Sequence, residues 1–340
     1  MRELTVPTID VSAFRAPGDD GRDEIARQVD RAAREVGFMQ VVGHGADPDA
    51  LSAFTRAMDA FFALDLDVKN AYRCPPGVNR GYSPPKSEAL RGSLGLASAA
   101  DLFEAMNIGT SAADFPGADL PADDYAPNVF PAEIPGFEAA TTRWFAEAGA
   151  VARVMMRIFG RALGLGEDYF AAFDRHPVDV LRMNNYRLPS ADVELEPDQE
   201  GMGAHTDYGM VTVLWADPVP GLEIHLDGRW HPVMPRADGL LVNLGDALAR
   251  WTNDQWISTM HRVAPPRVGG RLVPRRSAAY FHDGDVDAVI ACLPGCVTDD
   301  RPVAYEPITV GEHLRAKLDG SRGRRLNPAA GREAARLAGA

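Results

Sequence analysis

His205, Thr206 and Asp207 are consecutive in the chain, and His261 follows downstream. Two imidazoles and one carboxylate on a single face leave half of an octahedron open. That donor set suits non-haem Fe(II) that must also bind a co-substrate and dioxygen. In an extended strand residues i and i+2 share a side, so His205 and Asp207 can face one ion while Thr206 turns away. His261 must then come from a second strand. Arg275 and Ser277 repeat the i, i+2 spacing. A planar guanidinium fork and a hydroxyl on one side of a strand can grip a carboxylate. Asn184 and Tyr186 share the spacing and would add further donors facing the metal.

Helices and strands must position these groups. Ile25, Val29, Ala32 and Val36 recur at helical spacing among charges between Asp20 and Val36, which predicts an amphipathic helix stopped by Gly37. A short buried strand at Val41 and Val42 follows. Asp47-Pro48 then reads as an N-cap with proline at the first helical position, and Leu51, Phe54, Met58 and Phe61 form the core face of a second helix. Residues from Cys74 to Pro135, rich in proline, glycine and small polar types, predict long loops with little regular structure. A third helix is expected from Phe137 to Leu163, with Trp144, Val151, Met155 and Phe159 on one side and Gly164 and Gly166 closing it.

Beyond Val180 strands succeed one another: Val180 to Tyr186, Gly203 to Asp207, Met210 to Trp215, Gly221 to Leu226, Arg229 to Val233, Leu240 to Leu244, Trp256 to Val263, Ser277 to His282 and Ala288 to Leu293. Turn signals such as Asp227-Gly228 and Asp283-Gly284 indicate antiparallel sheets in a sandwich or jelly roll. A last helix is expected near Val310 to Leu318, followed by an arginine-containing tail.

A chain of 340 residues, 46% of them hydrophobic, can bury a full core. Its net charge of −13 argues against nucleic acid or an anionic membrane surface as a partner, while a local arginine can still hold an anionic small molecule. The N-terminal residues read as polar rather than as a secretory signal, and no apolar run reaches a membrane span, so a soluble cytoplasmic protein is expected. Three cysteines make no disulfide framework. Cys292 and Cys296 lack metal-binding partners in sequence, and Cys74 reads as a loop or core thiol.

Ordered motifs along most of the chain resemble the 2-oxoglutarate and Fe(II)-dependent oxygenases of the isopenicillin N synthase-like family. They are Gly37 to Gly45, Asn79-Arg80-Gly81-Tyr82-Ser83-Pro84, Asp101 to Gly109, Leu241-Val242-Asn243-Leu244-Gly245-Asp246, Arg250 to Asp254 and Ser258 to Val263. The resemblance implies a mixed α and β fold whose core is a distorted jelly roll, the double-stranded β-helix, with supporting helices. It implies a single functional unit: residues 1–175 as helices and loops packed on the core, 176–305 as the catalytic jelly roll, and 306–340 as a C-terminal helix and tail.

By the same resemblance His205, Asp207 and His261 hold Fe(II). Arg275 and Ser277 bind the distal carboxylate of 2-oxoglutarate, with Tyr186 and Asn184 assisting; a register shifted by one would make Arg276 the gripping group. Oxidative decarboxylation with dioxygen then yields succinate and drives hydroxylation, desaturation or cyclisation of a small-molecule substrate of specialised metabolism, with ascorbate as an accessory reductant. The alternative is an iron-dependent oxidase of the same fold that does not use 2-oxoglutarate; succinate formation separates the two. Arg80, Tyr82, Phe103, Phe281 and His282 are expected to border the substrate pocket. Asp246, Arg250, Trp251 and Asn253 read as turn and packing residues, His44 as a turn residue, and His225 and His231 as strand residues without a ligand role.

Overall fold

A computed structural model describes residues 4–321 apart from 74, 76, 96–99 and 187–199. Its first half runs β1 (Thr8–Asp10), α1 (Arg22–Glu35), β2 (Phe38–Val42), α2 (Pro48–Phe62), α3 (Leu66–Asn70), β3 (Gly81–Ser83), β4 (Glu104–Gly109) and α4 (Phe137–Ala162). Then follow β5 (Val180–Asn185), β6 (Met202–His205), β7 (Val211–Ala216), β8 (Leu222–Leu226), β9 (Arg229–Pro232), β10 (Leu240–Leu244), α5 (Asp246–Trp251) and β11 (His261–Val263). The chain continues through β12 (Arg267–Val268), β13 (Arg271–Leu272), β14 (Arg276–His282), β15 (Val289–Ile290), β16 (Ile308–Thr309) and α6 (Val310–Ser321).

Among the described residues the major sheet has the order β1-β2-β10-β7-β14-β5-β4-β3 and the minor sheet β6-β11-β8-β9. Strand alternation gives the major sheet two different faces. Leu181 and Met183 of β5, Val211 and Val213 of β7, Leu240 and Val242 of β10, and Ala278 and Tyr280 of β14 join one core with α1, α2 and α4. At 26 residues α4 is about 39 Å long, enough to back several strands. The opposite face supplies Phe38, Ala105, Tyr186 and Leu241, which pack against Met202, Leu222, Ile224 and Val263 of the minor sheet and its flanks. Two sheets closed on each other in this way, antiparallel except where β1 pairs parallel to β2 at one edge, form the jelly-roll core with helices on the outside.

Outside the site, three segments differ from the sequence expectation. The stretch from Cys74 to Pro135 contributes two strands: β3 pairs with β4, and all six residues of β4 are buried beside β5. Its polar members are buried in company. Glu104 accepts from Lys69 Nζ at 2.8 Å, the Tyr82 hydroxyl at 2.5 Å and Asn185 Nδ2 at 2.9 Å. Cys74 itself lies outside the described residues, as does the tail beyond residue 321. The strand expected from Trp256 is reduced to β11, because the preceding residues bond to α1 and its C-terminal turn instead of a neighbouring strand. Trp256 Nε1 donates to Asp30, Ile257 N to the Ala33 carbonyl, and Thr259 Oγ1 to the Val36 carbonyl. The strand expected at Ala288 to Leu293 shortens to β15.

Gly37 ends α1 with φ +68° and donates its N–H to the Ala32 carbonyl. A Cβ there would lie 2.4 Å from both the Ile257 carbonyl oxygen and Thr259 Oγ1. Gly37→Ala is therefore expected to lower stability in urea unfolding by at least about 1–3 kcal/mol, the order of cost for a non-glycine residue in the left-handed region.

Candidate functional site

The minor sheet brings the two histidines together. β11 runs antiparallel to β6 with His261 opposite His205, and their ring centroids are 4.3 Å apart. β6 ends at His205, so Asp207 is not held by strand alternation as its spacing suggested. Its backbone carbonyl instead accepts from Asp246 N–H at 2.9 Å, and its Oδ2 accepts from Thr212 Oγ1 at 2.5 Å and Asn243 Nδ2 at 2.7 Å. Those donors stand on the facing strands β7 and β10, opposite one another in register. The other oxygen, Oδ1, faces the histidines, 3.7 Å from His205 Nε2 and 3.5 Å from His261 Nε2.

Both rings are fixed from behind. His205 Nδ1 lies 2.7 Å from the Gly203 carbonyl oxygen and His261 Nδ1 3.1 Å from that of Thr259. A neutral imidazole that donates Nδ1–H to a carbonyl turns its Nε2 lone pair the other way, here toward Asp207. Burial, reinforced by the neighbouring His261, lowers the His205 pKa to about 4, so its lone pair is free at neutral pH. Donor atoms each roughly 2 Å from one ion lie at most about 4 Å apart, and the Oδ1–Nε2 separations meet that limit. The three residues thus fit a small transition-metal ion. Among the described residues two other groups could hold a metal, Asp174/Asp179/His282 and His176/Asp285/Asp287. Their central carboxylates are already engaged: Asp179 by Tyr280 and the Asp283 N–H, Asp285 by the N–H groups of Arg175 and His176.

A cavity of about 160 Å³ opens beside the three residues. From the major sheet Val180, Arg182, Asn184 and Tyr186 project into it, along with Arg275, Ser277, Ala279 and Phe281. Ser277 pairs with Asn184, Ala279 with Arg182 and Phe281 with Val180, while Phe281 also pairs with Thr212. The row containing Phe281 and Thr212 is therefore at the Asp207 end, and the row of Ser277 lies four residues away, about 13 Å at strand rise.

Arg275 closes that far end. It is 1% exposed, and its Nε and Nη1 meet no hydrogen-bond partner among the described residues. Burial lowers its pKa against the opposing pull of Tyr186, whose ring lies 5.1 Å from the guanidinium carbon. A buried guanidinium of this kind is complemented by an anion. Arg276 faces the other way, bonding Asp217 and Asp59 and covering Trp215, so Arg275 is the arginine in the cavity.

Arg80 and Phe281 line the cavity, but Tyr82, Phe103 and His282 do not. Tyr82 points to Glu104 in the helix-side core, Phe103 packs against Tyr186 and under Arg182, and His282 turns to Asp179 on the opposite face of β14. The alternation that puts Phe281 in the cavity removes His282 from it. Sequence reasoning missed Thr212 and Asn243, since nothing in the strand pattern distinguishes a polar residue that holds a buried carboxylate from one facing solvent. It also missed the Arg182–Glu88 pair, 2.9 Å apart in the cavity wall. Asn253 and Arg250 bond backbone carbonyls at the opposite end of α5, consistent with packing roles.

Residues 6–133 match the model for the non-haem dioxygenase in morphine synthesis N-terminal region, and residues 178–284 match that for the 2OG-Fe(II) oxygenase superfamily. The chain is 31% identical over 332 residues to the 2-oxoglutarate-Fe(II) type oxidoreductase hxnY of Emericella nidulans, covering 95% of this chain and 92% of that protein. It is 31% identical over 322 residues to the validamycin A dioxygenase of Streptomyces hygroscopicus subsp. limoneus, covering 92% and 86%. Among solved structures, a full-length Neurospora crassa protein in complex with alpha-KG and thymine superposes with a TM-score of 0.81 at 29% identity, covering 93% of this chain and 96% of that one.

Asn243→Leu removes one of the two side-chain donors from Asp207 Oδ2 and should weaken metal binding by about 10–100-fold in an anaerobic titration, with the circular dichroism spectrum unchanged. A pH effect arises from Asp101, which joins the Leu90 and Gly203 N–H groups. Burial raises its carboxyl to about 7, with Glu88 and Glu200 adding to the shift. Between about pH 4 and 7 the unfolded chain ionises Asp101 while the folded chain retains the proton, so its contribution to stability falls as pH rises through that window. Urea unfolding of Asp101→Asn should accordingly change less between pH 5 and 7 than that of the parent.

Proposed function

The chain belongs to the 2OG-Fe(II) oxygenase superfamily, and we propose that His205, Asp207 and His261 hold its Fe(II) while Arg275 and Ser277 receive the distal carboxylate of 2-oxoglutarate. The protein is a 2-oxoglutarate-dependent dioxygenase that couples decarboxylation of its co-substrate to oxidation of a small molecule. The observation that carries the residue assignment is the buried Arg275 guanidinium, lacking partners at Nε and Nη1 among the described residues, in the same cavity as the three donors. When bound, iron supplies dioxygen activation, by which 2-oxoglutarate becomes succinate and carbon dioxide and a substrate C–H bond is oxidised.

The chain's own residues do the rest. Thr212 and Asn243 hold one Asp207 oxygen, which leaves Oδ1 as the ligand atom. Gly203 and Thr259 carbonyls keep the histidines in the tautomer that presents Nε2. Arg275 neutralises the far carboxylate, Ser277 adds a donor on the same side of β14, and Asn184 faces Ser277 across the register. Tyr186 and Leu222 wall the far end, limiting water around that ion pair and strengthening it.

We assign the substrate side of the cavity to Val180, Arg182, Phe281 and Arg80, with Glu88 beside Arg182. Charged groups interleaved with Phe281 support a compact, polar substrate; the Neurospora crassa protein, with its bound thymine, is a relative of that kind. We read residues 1–175, 176–305 and 306–340 as one functional unit, because the first segment supplies strands to the catalytic sheet and the last supplies cavity wall through α6.

Arg275→Leu should raise the 2-oxoglutarate concentration needed for half-maximal succinate formation by at least about tenfold, the order expected when a charge-assisted bidentate contact is lost, with metal affinity retained. His205→Ala, Asp207→Ala and His261→Ala should each abolish turnover and weaken metal binding. An Arg275→Leu enzyme with the parent's 2-oxoglutarate dependence would refute the co-substrate assignment. Substrate oxidation without succinate would point instead to the oxidase chemistry.

A further inference from the structure

Helix α6 touches the proposed metal segment with one stripe and the cavity with the next. Lys317 is 1% exposed, an expensive place for an ammonium group, and its Nζ lies 2.6 Å from Asp246 Oδ2 and 3.4 Å from Thr206 Oγ1. Thr206 Oγ1 donates to that same Asp246 oxygen at 2.9 Å, and the Asp246 N–H donates to the Asp207 carbonyl. The Lys317 ammonium also stands 5.3 Å from the centre of the Tyr208 ring. One turn earlier His313, buried and held neutral by desolvation and by Lys317, meets the Tyr208 carbonyl at 3.0 Å. Residues 313 and 317 therefore grip Thr206, Asp207 and Tyr208, directly or through Asp246. On the neighbouring stripe Leu314, Arg315 and Leu318 line the cavity, and Arg315 reaches across to Asp124 at 3.0 Å.

We propose that Lys317 is a positioning residue that couples metal binding at His205, Asp207 and His261 to docking of α6 as the wall of the substrate cavity, through its buried contacts with Asp246 and Thr206. The inference rests on the metal assignment made above. The start of α6 is independently fixed: Val310 N–H bonds the Ala288 carbonyl, Gly311 N–H bonds the Val286 carbonyl, and β16 pairs with β15. α6 also packs on the 3-10 turn Leu90–Leu94, and the Lys317 contacts tie this helix to the metal segment. An ion that orders Asp207 favours the backbone position to which Asp246 and Thr206 are tied, and these offer Lys317 its seat. The coupling is reciprocal, so a docked α6 must raise metal affinity by the factor by which metal favours docking.

The test uses the full chain with Mn(II), a redox-silent substitute for Fe(II). Free Mn(II) is followed by electron paramagnetic resonance, and amide hydrogen exchange is followed over residues 310–321. In the parent protein, Mn(II) should slow exchange in the second half of α6 several-fold. The double variant Asp246→Asn with Lys317→Met removes both charges together, so neither is left buried opposite an uncharged partner, and the introduced amide can still accept from Thr206. It should bind Mn(II) about tenfold more weakly, and the metal-dependent slowing should disappear. A merely structural role for Lys317 would lower the unfolding midpoint without altering the metal dependence of exchange. Mn(II) binding that leaves α6 exchange unchanged in the parent overturns the coupling alone, whatever the variant's stability. Failure of the parent to bind Mn(II) overturns the metal assignment and the coupling with it.

Discussion

The site depends on how the two oxygens of one carboxylate are divided. Asp207 lies beyond the end of its strand, where backbone geometry alone would leave it several orientations. Thr212 and Asn243 take Oδ2, and Oδ1 then faces the two histidines. The donors stand side by side on the major sheet, whereas the histidines stand opposite one another on the minor sheet. The carboxylate therefore spans the gap between the sheets, and their spacing becomes a property of the centre. Errors in packing between Leu241, Leu222 and Ile224 would be felt as errors in the placement of Asp207 Oδ1 against the two histidines, since these side chains share the cluster that separates the two layers.

The major sheet accommodates both a hydrophobic core and a charged cavity because its two faces are read independently. Along β14 and the residue before it, Ala278 and Tyr280 belong to the helix-side core, while Arg275, Ser277, Ala279 and Phe281 face the cavity. Burial is nearly complete on both faces, so the segment's hydrophobicity alone cannot say which side does chemistry. What identifies the chemical face is the company of each polar atom. Arg276 is satisfied by two aspartates on the outside, whereas Arg275 retains two nitrogens without a partner among the described residues inside.

Most helices and core strands were legible because their signals are local: the helical spacing before Gly37, the Asp47-Pro48 start of α2, and the short strand runs, with turn signals such as Asp283-Gly284, that became β5, β7 and β14. Asp47 does cap α2 by accepting from the Asp49 N–H. β4 was not legible, since its buried Glu104 and Asn107 imitate loop residues; their partners Lys69, Asn185 and Asn79 are distant in sequence. The same non-locality hid Thr212, Asn243 and Lys317. Asp246 read as a turn residue, and it does begin a short helix, but the ammonium it faces lies 71 positions later in the chain. Types and spacings suggested the donors; what holds the donors emerged only when the chain was closed in three dimensions.

The order of strands also bears on how the protein is made. β14 lies between β7 and β5, and β2 is joined to β10 across about two hundred residues of sequence. As a chain grows on the ribosome, its N-terminal segments are available long before those partners, and non-local pairing of this kind is slow. α1, α2 and α4 can meet early, yet the middle of the major sheet stays open until residue 282 has emerged. During that interval the helix-facing apolar surfaces of β5 and β7 lack their central neighbour β14. His205 and Asp207 are likewise synthesised before Asn243 and His261, so the three-donor arrangement is complete only once residue 261 has emerged.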